Sequence, residues 1–287
     1  MFDKIKHFFN MLKFEHTIFA LPFAYVGMIL GSMTEYGTYP AFRTVLWVTL
    51  AMIGARSAAM ALNRVIDKSI DALNPRTSNR EIVVGKVSIK EAVIFICGSF
   101  LLLFYAAYQL NTLAIYLLPV AVFVLVIYSY TKRFTWLCHI VLGCATGLAP
   151  MGGWVGATGS LPLHAWLLFF TVALWTAGFD IIYACQDIKY DRQQNLHSIP
   201  VRFGVVNALW ISRIFHVISA VLLFSWFSIF NLGFVYLVGT VLASVILFYE
   251  HTLVKPNDFS KLHTAFFTMN GILSMVIFIF IFMDRLS

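Results

Sequence analysis

Residues 51–80 read AMIGARSAAMALNRVIDKSIDALNPRTSNR, an apolar run that passes directly into a charged segment. The last nineteen of these residues, 62–80, include two aspartates, three arginines and one lysine. Charged groups are costly inside the hydrocarbon of a bilayer, so the transition marks the end of a membrane-spanning helix. The stretch therefore predicts a membrane fold with a polar cluster at one membrane surface.

The composition of the whole chain agrees with a membrane protein. Of 287 residues, 60% are hydrophobic and 11% are charged, with a mean hydropathy of +0.84, whereas soluble domains carry about 25% charged residues. Aromatic residues make up 16%, as expected where aromatic belts line membrane interfaces. The net charge of +7 could suit nucleic acid, but the basic residues lie in short segments between apolar runs. We therefore expect a lipid bilayer, and no nucleic acid, as partner.

Nine apolar stretches are long enough, or nearly so, to cross a hydrocarbon core of about 30 Å, which takes roughly 20 helical residues. Helices are expected because lipid offers backbone groups no hydrogen-bond partner. The sequence thus predicts an all-α multi-span membrane protein with nine transmembrane helices in one domain, residues 1–287. The stretches are 14–33, 42–66, 92–109, 112–130, 135–157, 162–186, 206–230, 233–250 and 263–283. The least marked break is QLNT, residues 109–112.

The first residues after Met1 form an apolar pattern of their own. In FDKIKHFFNMLKF, residues 2–14, the side chains of Phe2, Ile5, Phe9 and Leu12 fall on one helical face. This pattern is typical of an amphipathic helix lying on the membrane surface. A first-turn extension of the first span is the alternative.

The basic residues predict the orientation. With the N-terminus inside, 17 of the 20 lysines and arginines fall in or beside cytoplasmic segments, as the positive-inside rule requires. Arg43 and Arg285 fall on the other side, and Arg56 lies within the second span. We therefore expect a cytoplasmic N-terminus, an external C-terminus, and both long polar loops, 67–90 and 187–205, on the cytoplasmic side.

Three polar residues of the opening stretch, Asn63, Asp67 and Asp71, form what we call the first acidic cluster. Their spacing of i, i+4, i+8 rotates by only about 40° per step on a helix, so all three project from one face. Arg56 lies seven residues before Asn63, on the same side of the helix.

A similar pattern recurs at the end of the sixth span, in GFDIIYACQDIKYDRQQNLHSIPVRFG, residues 178–204. Asp180, Asp187 and Asp191, the second acidic cluster, are spaced i, i+7, i+11, and Tyr183 precedes Asp187 by four residues. Asp67 and Asp187 are 120 residues and four spans apart, and both clusters run into a loop with basic residues and a proline. The arrangement resembles a weak internal duplication.

Two groups of carboxylates at one membrane face would repel each other without a cation between them. Carboxylate and amide oxygens suit magnesium, which binds a few carboxylates together with substrate phosphate and water. The neighbouring arginines and lysines can grip phosphate oxygens directly. One such cluster alone is more typical of solvated loop charges, but two clusters of matching side and spacing favour a magnesium–diphosphate site.

A third polar group closes the fourth span with the sequence YSYTKR, residues 128–133. Tyr128 and Lys132 are four residues apart and share a helix face. A lysine at a span end is usually an interfacial anchor that extends its amine to water. Beside two acidic clusters, it is also a candidate clamp for diphosphate.

These residues match three motifs of one known family. The motifs are N-(D or R)-x-x-D-x-x-x-D, met by Asn63, Arg64, Asp67 and Asp71; D-x-x-x-D, met by Asp187 and Asp191; and Y-x-x-x-K, met by Tyr128 and Lys132. The chain therefore resembles the UbiA family of intramembrane aromatic prenyltransferases, and the likeness extends over most of its length. The resemblance implies nine transmembrane helices around a central cavity, in a multi-pass protein of the cell membrane whose active site faces the cytoplasm.

The resemblance also implies an activity. The reaction would be the Mg²⁺-dependent transfer of a polyprenyl group from polyprenyl diphosphate to a small aromatic acceptor, nominally 4-hydroxybenzoate, in quinone biosynthesis. Three features depart from the sequences common at these places in 4-hydroxybenzoate enzymes. They are Arg64 in the first motif, SNREIVVG at residues 78–85 and QDIKYD at residues 186–191. A menaquinone precursor, aminodeoxyfutalosine or 1,4-dihydroxy-2-naphthoate, is therefore the alternative acceptor.

The same resemblance assigns expected roles to individual residues. Asn63, Asp67 and Asp71 would coordinate one magnesium ion, and Asp187 and Asp191 the other. With Lys132, the four aspartates of these two sets are the expected catalytic residues. Lys132, Arg76 and Arg80 would bind the diphosphate, and Arg56 and Arg133 would bind the acceptor. Asp180 would bind metal through water or position the acceptor. Tyr128 and Tyr183 would orient Lys132 and Asp187 or stabilise the allylic cation.

Two further sets of residues have expected structural roles. His139, His164 and His216 lie in or at the edges of spans and are predicted to serve in packing or at the interface. The fifth span contains glycines that are expected to allow close helix packing, namely Gly143, Gly147, Gly152, Gly153 and Gly156.

A transporter for an anionic lipid is the alternative from a different functional class. Transporters tend to have inverted repeats and sites near the membrane midplane. Here both acidic clusters lie on one side, and the opposite face is nearly bare of charge. The sequence therefore favours an enzyme.

Overall fold

The computed structural model describes residues 7, 8, 10–12 and 17–286, without the side chains of 17–19. Within this part the chain is helical and contains no strand beyond one isolated bridge, Lys255 to Asp258. The helices are α1 (Thr17–Tyr36), α2 (Phe42–Ile66), α3 (Lys68–Leu73), α4 (Ile89–Leu110), α5 (Thr112–Thr131), α6 (Cys138–Thr158), α7 (Ala165–Ala184), α8 (Ile188–Gln193), α9 (Ile199–Ile229), α10 (Phe234–Leu253) and α11 (Asn270–Leu286). A 3₁₀ turn (Cys185–Asp187) links α7 to α8, and a π-helical turn (Thr264–Met269) leads into α11.

Eight segments of the described chain are long and apolar enough to cross a membrane. They are α2, α4, α5, α6, α7 with α8, α9, α10, and the π-helical turn with α11. Helix α1 also has 20 residues, but its first three side chains lie outside the described part. The all-helical prediction is confirmed for the described residues, whereas the count of nine membrane crossings stays a prediction. The predicted amphipathic face falls largely outside the described residues, since Phe2, Ile5 and Phe9 are not among them.

Local capping groups explain several helix boundaries. Ser88 and Glu91 form a reciprocal capping box at the start of α4. Asn111 has an extended backbone (φ −165°) and its side chain accepts from the Ala114 N–H, which separates α4 from α5 at the predicted break. Helix α9 starts at Ile199, earlier than predicted, and its backbone is non-helical at Gly204 (φ 78°). The apolar run begins only after this kink.

Both acidic clusters lie where a long helix ends. The sequence predicts one continuous helical face through Asn63, Asp67 and Asp71, but α2 ends at Ile66, and Asp67 lies between it and α3. The second cluster is interrupted in the same way by the 3₁₀ turn between α7 and α8. The short helices α3 and α8 meet, because the Tyr190 hydroxyl donates to the Ile70 carbonyl oxygen.

Helix α7 forms the centre of the bundle and packs against α6 and α9. Its side chains are buried on nearly every side, including Leu168, Val172, Trp175 and Phe179. The outer helices instead expose large apolar side chains, as expected for surfaces that face lipid. Of the eight segments, the one formed by α7 and α8 therefore has the largest buried share, and it carries the second acidic cluster.

Glycines allow α6 to approach its neighbours closely. A methyl group at Gly153 would overlap the Ala24 carbonyl of α1, and one at Gly143 would overlap the Ala173 carbonyl of α7. Gly147 is similarly close to Phe169. Gly152 differs, since no heavy atom lies within 4 Å of the place that its methyl group would take. The predicted packing role therefore does not extend to Gly152, which points away from the contact.

Candidate active site

A cavity of about 1120 Å³ lies among α2, α5, α6, α7 and the π-helical turn. Polar and charged side chains from the loops after α2, α5 and α7 line one end of it. The deeper walls are aromatic and apolar and include Trp175, Phe179 and Phe266. The cavity therefore combines a charged end with an interior that is largely aromatic and apolar but also includes Arg56 and Asp180.

Asp67 is the most enclosed carboxylate at the charged end, with a side chain that is 2% exposed. Lys132 Nζ donates to its Oδ2 at 2.6 Å, and Arg133 Nη2 donates to its Oδ1 at 2.9 Å. Asn63 Nδ2 also donates to Oδ2, at 3.0 Å. A buried carboxylate requires this kind of compensation, and here two cations from the end of α5 supply it.

The rest of the first acidic cluster is compensated from the following loop. Arg80 Nη1 lies 2.5 Å from Asp71 Oδ2, and Asp71 is buried. The Thr77 hydroxyl donates to the Asp71 carbonyl oxygen at 3.1 Å. The loop after α3 therefore folds back over the cluster and brings a guanidinium to it.

Arg76, from the loop that follows the first acidic cluster, contacts the second cluster. Its Nε and Nη2 donate to the two carboxylate oxygens of Asp187 at 3.1 and 2.6 Å, and its Nη1 donates to the Tyr183 hydroxyl at 2.9 Å. Asn74 Nδ2 also donates to Asp187, at 3.4 Å. Burial alone would lower the pKa of Arg76, but the hydrogen bonds with Asp187 and the neighbouring acidic groups raise it above its ordinary value. Arg76 is therefore a firmly charged link between the loops.

Asp191, the last residue of the second cluster, also lines the cavity. A backbone contact attaches the third motif to the same region, because the His197 N–H donates to the Lys132 carbonyl oxygen at 2.7 Å. All three predicted motifs therefore meet at one end of the bundle.

The cavity lining contains nearly all of the residues that the sequence singled out. They are Arg56, Asn63, Asp67, Asp71, Arg76, Arg80, Tyr128, Lys132, Asp180, Tyr183, Asp187 and Asp191. Arg133, predicted to bind the acceptor, is not among the lining residues. Its guanidinium donates to the Ser129 and Ile66 carbonyls and to Asp67, so it braces α5 against the end of α2.

The two tyrosines differ from their predicted contacts. The Tyr128 hydroxyl donates to the Ala59 carbonyl at 3.4 Å and thereby links α5 to α2. Tyr183 contacts Arg76, which in turn contacts Asp187, so its effect on Asp187 is indirect. The Tyr183 ring also packs on Phe266, with ring centroids 4.1 Å apart.

Sequence reasoning assigned no role in the site to Asn74, Arg64 or His139. Asn74 and the buried Arg64, which the first motif includes, line the cavity. His139, predicted to serve in packing, instead pairs with Asp180, with 2.7 Å between Nδ1 and Oδ2. The available signal was its position: an ionisable residue at the start of a span, six residues after Arg133.

The donor set fits magnesium. Carboxylates and an asparagine amide are the hard oxygen ligands that magnesium prefers, and it completes its shell with water and substrate phosphate instead of an all-protein cage. Among the described residues, no three Asp, Glu, His and Cys side chains converge closely enough to hold an ion by themselves. Asn63, Asp67 and Asp71, with Asp187 and Asp191 opposite, are the residues that could hold the metal beside a diphosphate.

Comparisons with known proteins agree with the motifs. The model of the UbiA prenyltransferase family matches residues 20–272. The 4-hydroxybenzoate octaprenyltransferase of Vesicomyosocius okutanii subsp. Calyptogena okutanii (strain HA) is 30% identical over 242 residues, covering 84% of this chain and 88% of that protein. The protein of the same name from Haemophilus ducreyi is 31% identical over 235 residues, covering 82% and 84%.

Solved structures share the fold. A UbiA homolog from Aeropyrum pernix K1, in its apo form, superimposes with a TM-score of 0.85 at 33% identity, covering 94% of this chain and 98% of that one. A UbiA homolog from Archaeoglobus fulgidus bound to GPP and Mg²⁺ gives a TM-score of 0.75 at 20% identity, covering 98% and 100%. The second likeness concerns the fold alone.

Proposed function

The chain belongs to the UbiA prenyltransferase family, and from this we propose that it transfers a polyprenyl group from polyprenyl diphosphate to a small aromatic acceptor. The reaction depends on Mg²⁺ and takes place at the cytoplasmic side of the cell membrane. Residues 1–287 act as one domain. The nominal acceptor is 4-hydroxybenzoate, and the product serves quinone biosynthesis.

One observation supports this function above the others. Two acidic clusters from distant parts of the chain line one cavity, and cations from the loop after α3 and from the end of α5 contact Asp67, Asp71 and Asp187. Arg76 bridges the loops through Asp187, while Lys132 and Arg80 contact Asp67 and Asp71. Carboxylates for a metal and cations for phosphate oxygens are both required for a metal–diphosphate complex.

The residues of the site have defined tasks in this proposal. Asn63, Asp67, Asp71, Asp187 and Asp191 hold magnesium, which supplies positive charge that stabilises the diphosphate leaving group. Arg76, Arg80 and Lys132 exchange part of their hydrogen bonding from carboxylates to phosphate oxygens. Their cationic groups are already present at the site, so little reorganisation is needed when the substrate arrives.

The deeper cavity protects the reactive carbon. Its aromatic side chains, Trp175 and Phe179 from α7 and Phe266 from the π-helical turn, offer no hydrogen-bonding group to water on the faces that they turn to an allylic cation. Their ring faces also favour positive charge. The prenyl chain, which is itself apolar, is compatible with the same surfaces.

Arg56 is the proposed anchor for an acidic group of the acceptor. It lies in α2, seven residues or about 10 Å before Asn63, and lines the cavity. A carboxylate on 4-hydroxybenzoate would suit it, and the relatives named above bear the name of a 4-hydroxybenzoate enzyme. Aminodeoxyfutalosine and 1,4-dihydroxy-2-naphthoate remain the alternative acceptors.

The test is a prenyl-transfer assay on membranes that contain the protein. A labelled polyprenyl diphosphate is supplied with Mg²⁺, and the three acceptors are offered separately, with and without a chelator. We expect a prenylated product with 4-hydroxybenzoate that disappears when the metal is chelated. Product with another acceptor would replace the nominal one, and product that survives chelation would contradict the metal requirement. A protein that neither binds nor consumes the diphosphate would contradict the proposal as a whole.

A further inference from the structure

Asp180 differs from the other carboxylates of the cavity in its position and in its partner. It lies in α7 seven residues before Asp187, which places it about 10 Å further along the helix, away from the loops. The partners of Asp67, Asp71 and Asp187 include lysine or arginine side chains. The partner of Asp180 is an imidazole, with His139 Nδ1 at 2.7 Å from Oδ2.

The two side chains of this pair are exposed to different degrees. Asp180 is 22% exposed and lines the cavity, whereas His139 is only 4% exposed. The carboxylate is therefore the member of the pair that a bound molecule can reach. His139 supports it from the side of α6.

The other nitrogen of His139 indicates which way the hydrogen bond runs. Nε2 is enclosed and has no hydrogen-bond partner among the described residues. A proton on Nε2 alone would leave Nδ1 with nothing to donate to the carboxylate, so Nδ1 carries a proton and donates it to Asp180 Oδ2. Oδ1 is the oxygen available to a substrate.

We propose that Asp180 is the general base that removes the ring proton of the aromatic acceptor, and that His139 is the positioning residue that holds its carboxylate. This inference rests on the proposed function. The acceptor attacks the allylic carbon from the side away from the leaving diphosphate, so a base for the acceptor belongs deeper than the metal-binding carboxylates. Asp180 has that location.

The step balances as an aromatic substitution. The bond between the allylic carbon and oxygen breaks, and its electron pair leaves with the diphosphate. A pair of ring electrons forms the new carbon–carbon bond. The carbon–hydrogen bond at the same ring carbon then breaks, its electrons restore the aromatic system, and the proton passes to Asp180 Oδ1.

The first experiment compares wild-type protein with D180N on 4-hydroxybenzoate and on 4-hydroxybenzoate deuterated at both ring carbons beside the hydroxyl-bearing carbon. Asparagine preserves the size of the side chain but cannot take up the proton. We expect kcat to fall by about 10²- to 10⁴-fold, with little change in KM for the polyprenyl diphosphate. The isotope effect should rise from near unity in wild type to a clear primary effect in D180N, because proton removal becomes rate-limiting.

A matched control and a second variant pair keep the inference testable. E35Q changes an exposed carboxylate at the end of α1 in the same chemical way and should leave the isotope effect near unity.

H139N retains an N–H close to the place of Nδ1, whereas H139L is of similar size and retains none. We expect H139L to show the isotope effect, and H139N to restore most of the wild-type behaviour.

The outcomes separate the inference from the function on which it rests. Wild-type transfer with a D180N variant that is equally active, or equally slow with both isotopic forms, would overturn Asp180 as the base. Equal behaviour of H139L and H139N would overturn the positioning role of His139. Wild-type protein that prenylates no acceptor would overturn the proposed function and the base assignment together.

Discussion

Single residues at the charged end of the cavity have two tasks that depend on each other. The carboxylates must be held apart and compensated in the folded chain, and they must remain able to bind metal. Pairing with lysine and arginine serves both tasks, since the same cations can bind diphosphate. A change at one of these residues therefore affects stability and activity at once, and the two effects need separate measurement.

Asp67→Asn tests the first acidic cluster. The change removes the charge that Lys132, Arg133 and Asn63 surround and, in the proposed function, one ligand of magnesium. We expect Mg²⁺-dependent prenyl transfer to fall by about 10²-fold or more, with the protein still inserted in the membrane. Activity is measured on purified protein whose thermal unfolding is followed in parallel. Near-normal turnover by the folded variant would contradict the metal role of Asp67.

Arg76→Lys tests the link between the clusters. Lysine keeps the positive charge but cannot form the two parallel hydrogen bonds to Asp187 and the further one to Tyr183. We expect KM for polyprenyl diphosphate to rise by about tenfold, since each tenfold step corresponds to about 1.4 kcal/mol. Initial rates at varied diphosphate and saturating acceptor measure it.

Arg192→Lys provides the control for Arg76→Lys. Arg192 is an exposed arginine of α8, close to the second acidic cluster in the sequence, and it does not line the cavity. We expect its substitution to leave KM for the diphosphate unchanged. Equal changes in the two variants would indicate a general effect of positive charge near the loops and not a specific geometry at Arg76.

The sequence identifies the residues of the site better than it identifies their partners. Helical spacing and position at span ends were enough to select the two acidic clusters. The pairs Arg76–Asp187 and His139–Asp180 join residues 111 and 41 positions apart, so they depend on how whole helices pack. Arg133 was selected from the sequence as a binding residue, but its role in the structure is different. Nothing in YSYTKR indicates that Arg133 braces α5 against α2 while its neighbour Lys132 lines the cavity.

At the scale of elements, the close approach of α1 and α6 depends on individual glycines. A methyl group on Gly153 would overlap the Ala24 carbonyl, which is backbone and cannot move without shifting α1. We expect Gly153→Ala to destabilise the protein by about 1–3 kcal/mol, the usual cost of overpacking. Thermal unfolding in detergent measures the change.

Gly152→Ala is a matched control at the next residue of the same helix. No heavy atom lies within 4 Å of the added methyl group, and alanine is about 1 kcal/mol more favourable than glycine in a helix interior. We expect no loss of stability from this change. A similar loss in both variants would mean that glycine serves α6 through its flexibility, and not through the contact with α1.

Helix limits were predictable to the extent that hydropathy alone determines them. The second span was predicted at 42–66 and is observed as Phe42–Ile66, and the break at QLNT was correct. The largest difference is in α9, where Ser198 caps the helix and Pro200 lies in its first turn. These capping residues extend the helix through a polar segment that a search for apolar runs does not include.

At the scale of the whole molecule, charge and hydropathy are arranged along one axis. All three motifs meet at one end of the bundle, and the described outer helices expose apolar side chains along their length. The sequence could predict this arrangement because the bilayer imposes it directly. It could not predict the cavity, whose shape depends on the packing of α2, α5, α6 and α7.

The orientation of the molecule in the membrane is the last prediction. Two single cysteines are introduced into a variant that lacks the four native ones: Lys86→Cys in the loop before α4, and Thr38→Cys between α1 and α2, both at exposed positions. A membrane-impermeant thiol reagent should label Thr38→Cys in intact cells, and Lys86→Cys only after the membrane is opened. The physical reason is that the sequence predicts 17 of the 20 lysines and arginines in or beside the segments on the side of Lys86, and the positive-inside rule retains that side in the cytoplasm. The opposite labelling pattern would put the charged end of the cavity, and with it the proposed diphosphate site, outside the cell, where a cytoplasmic prenyl donor could not reach it.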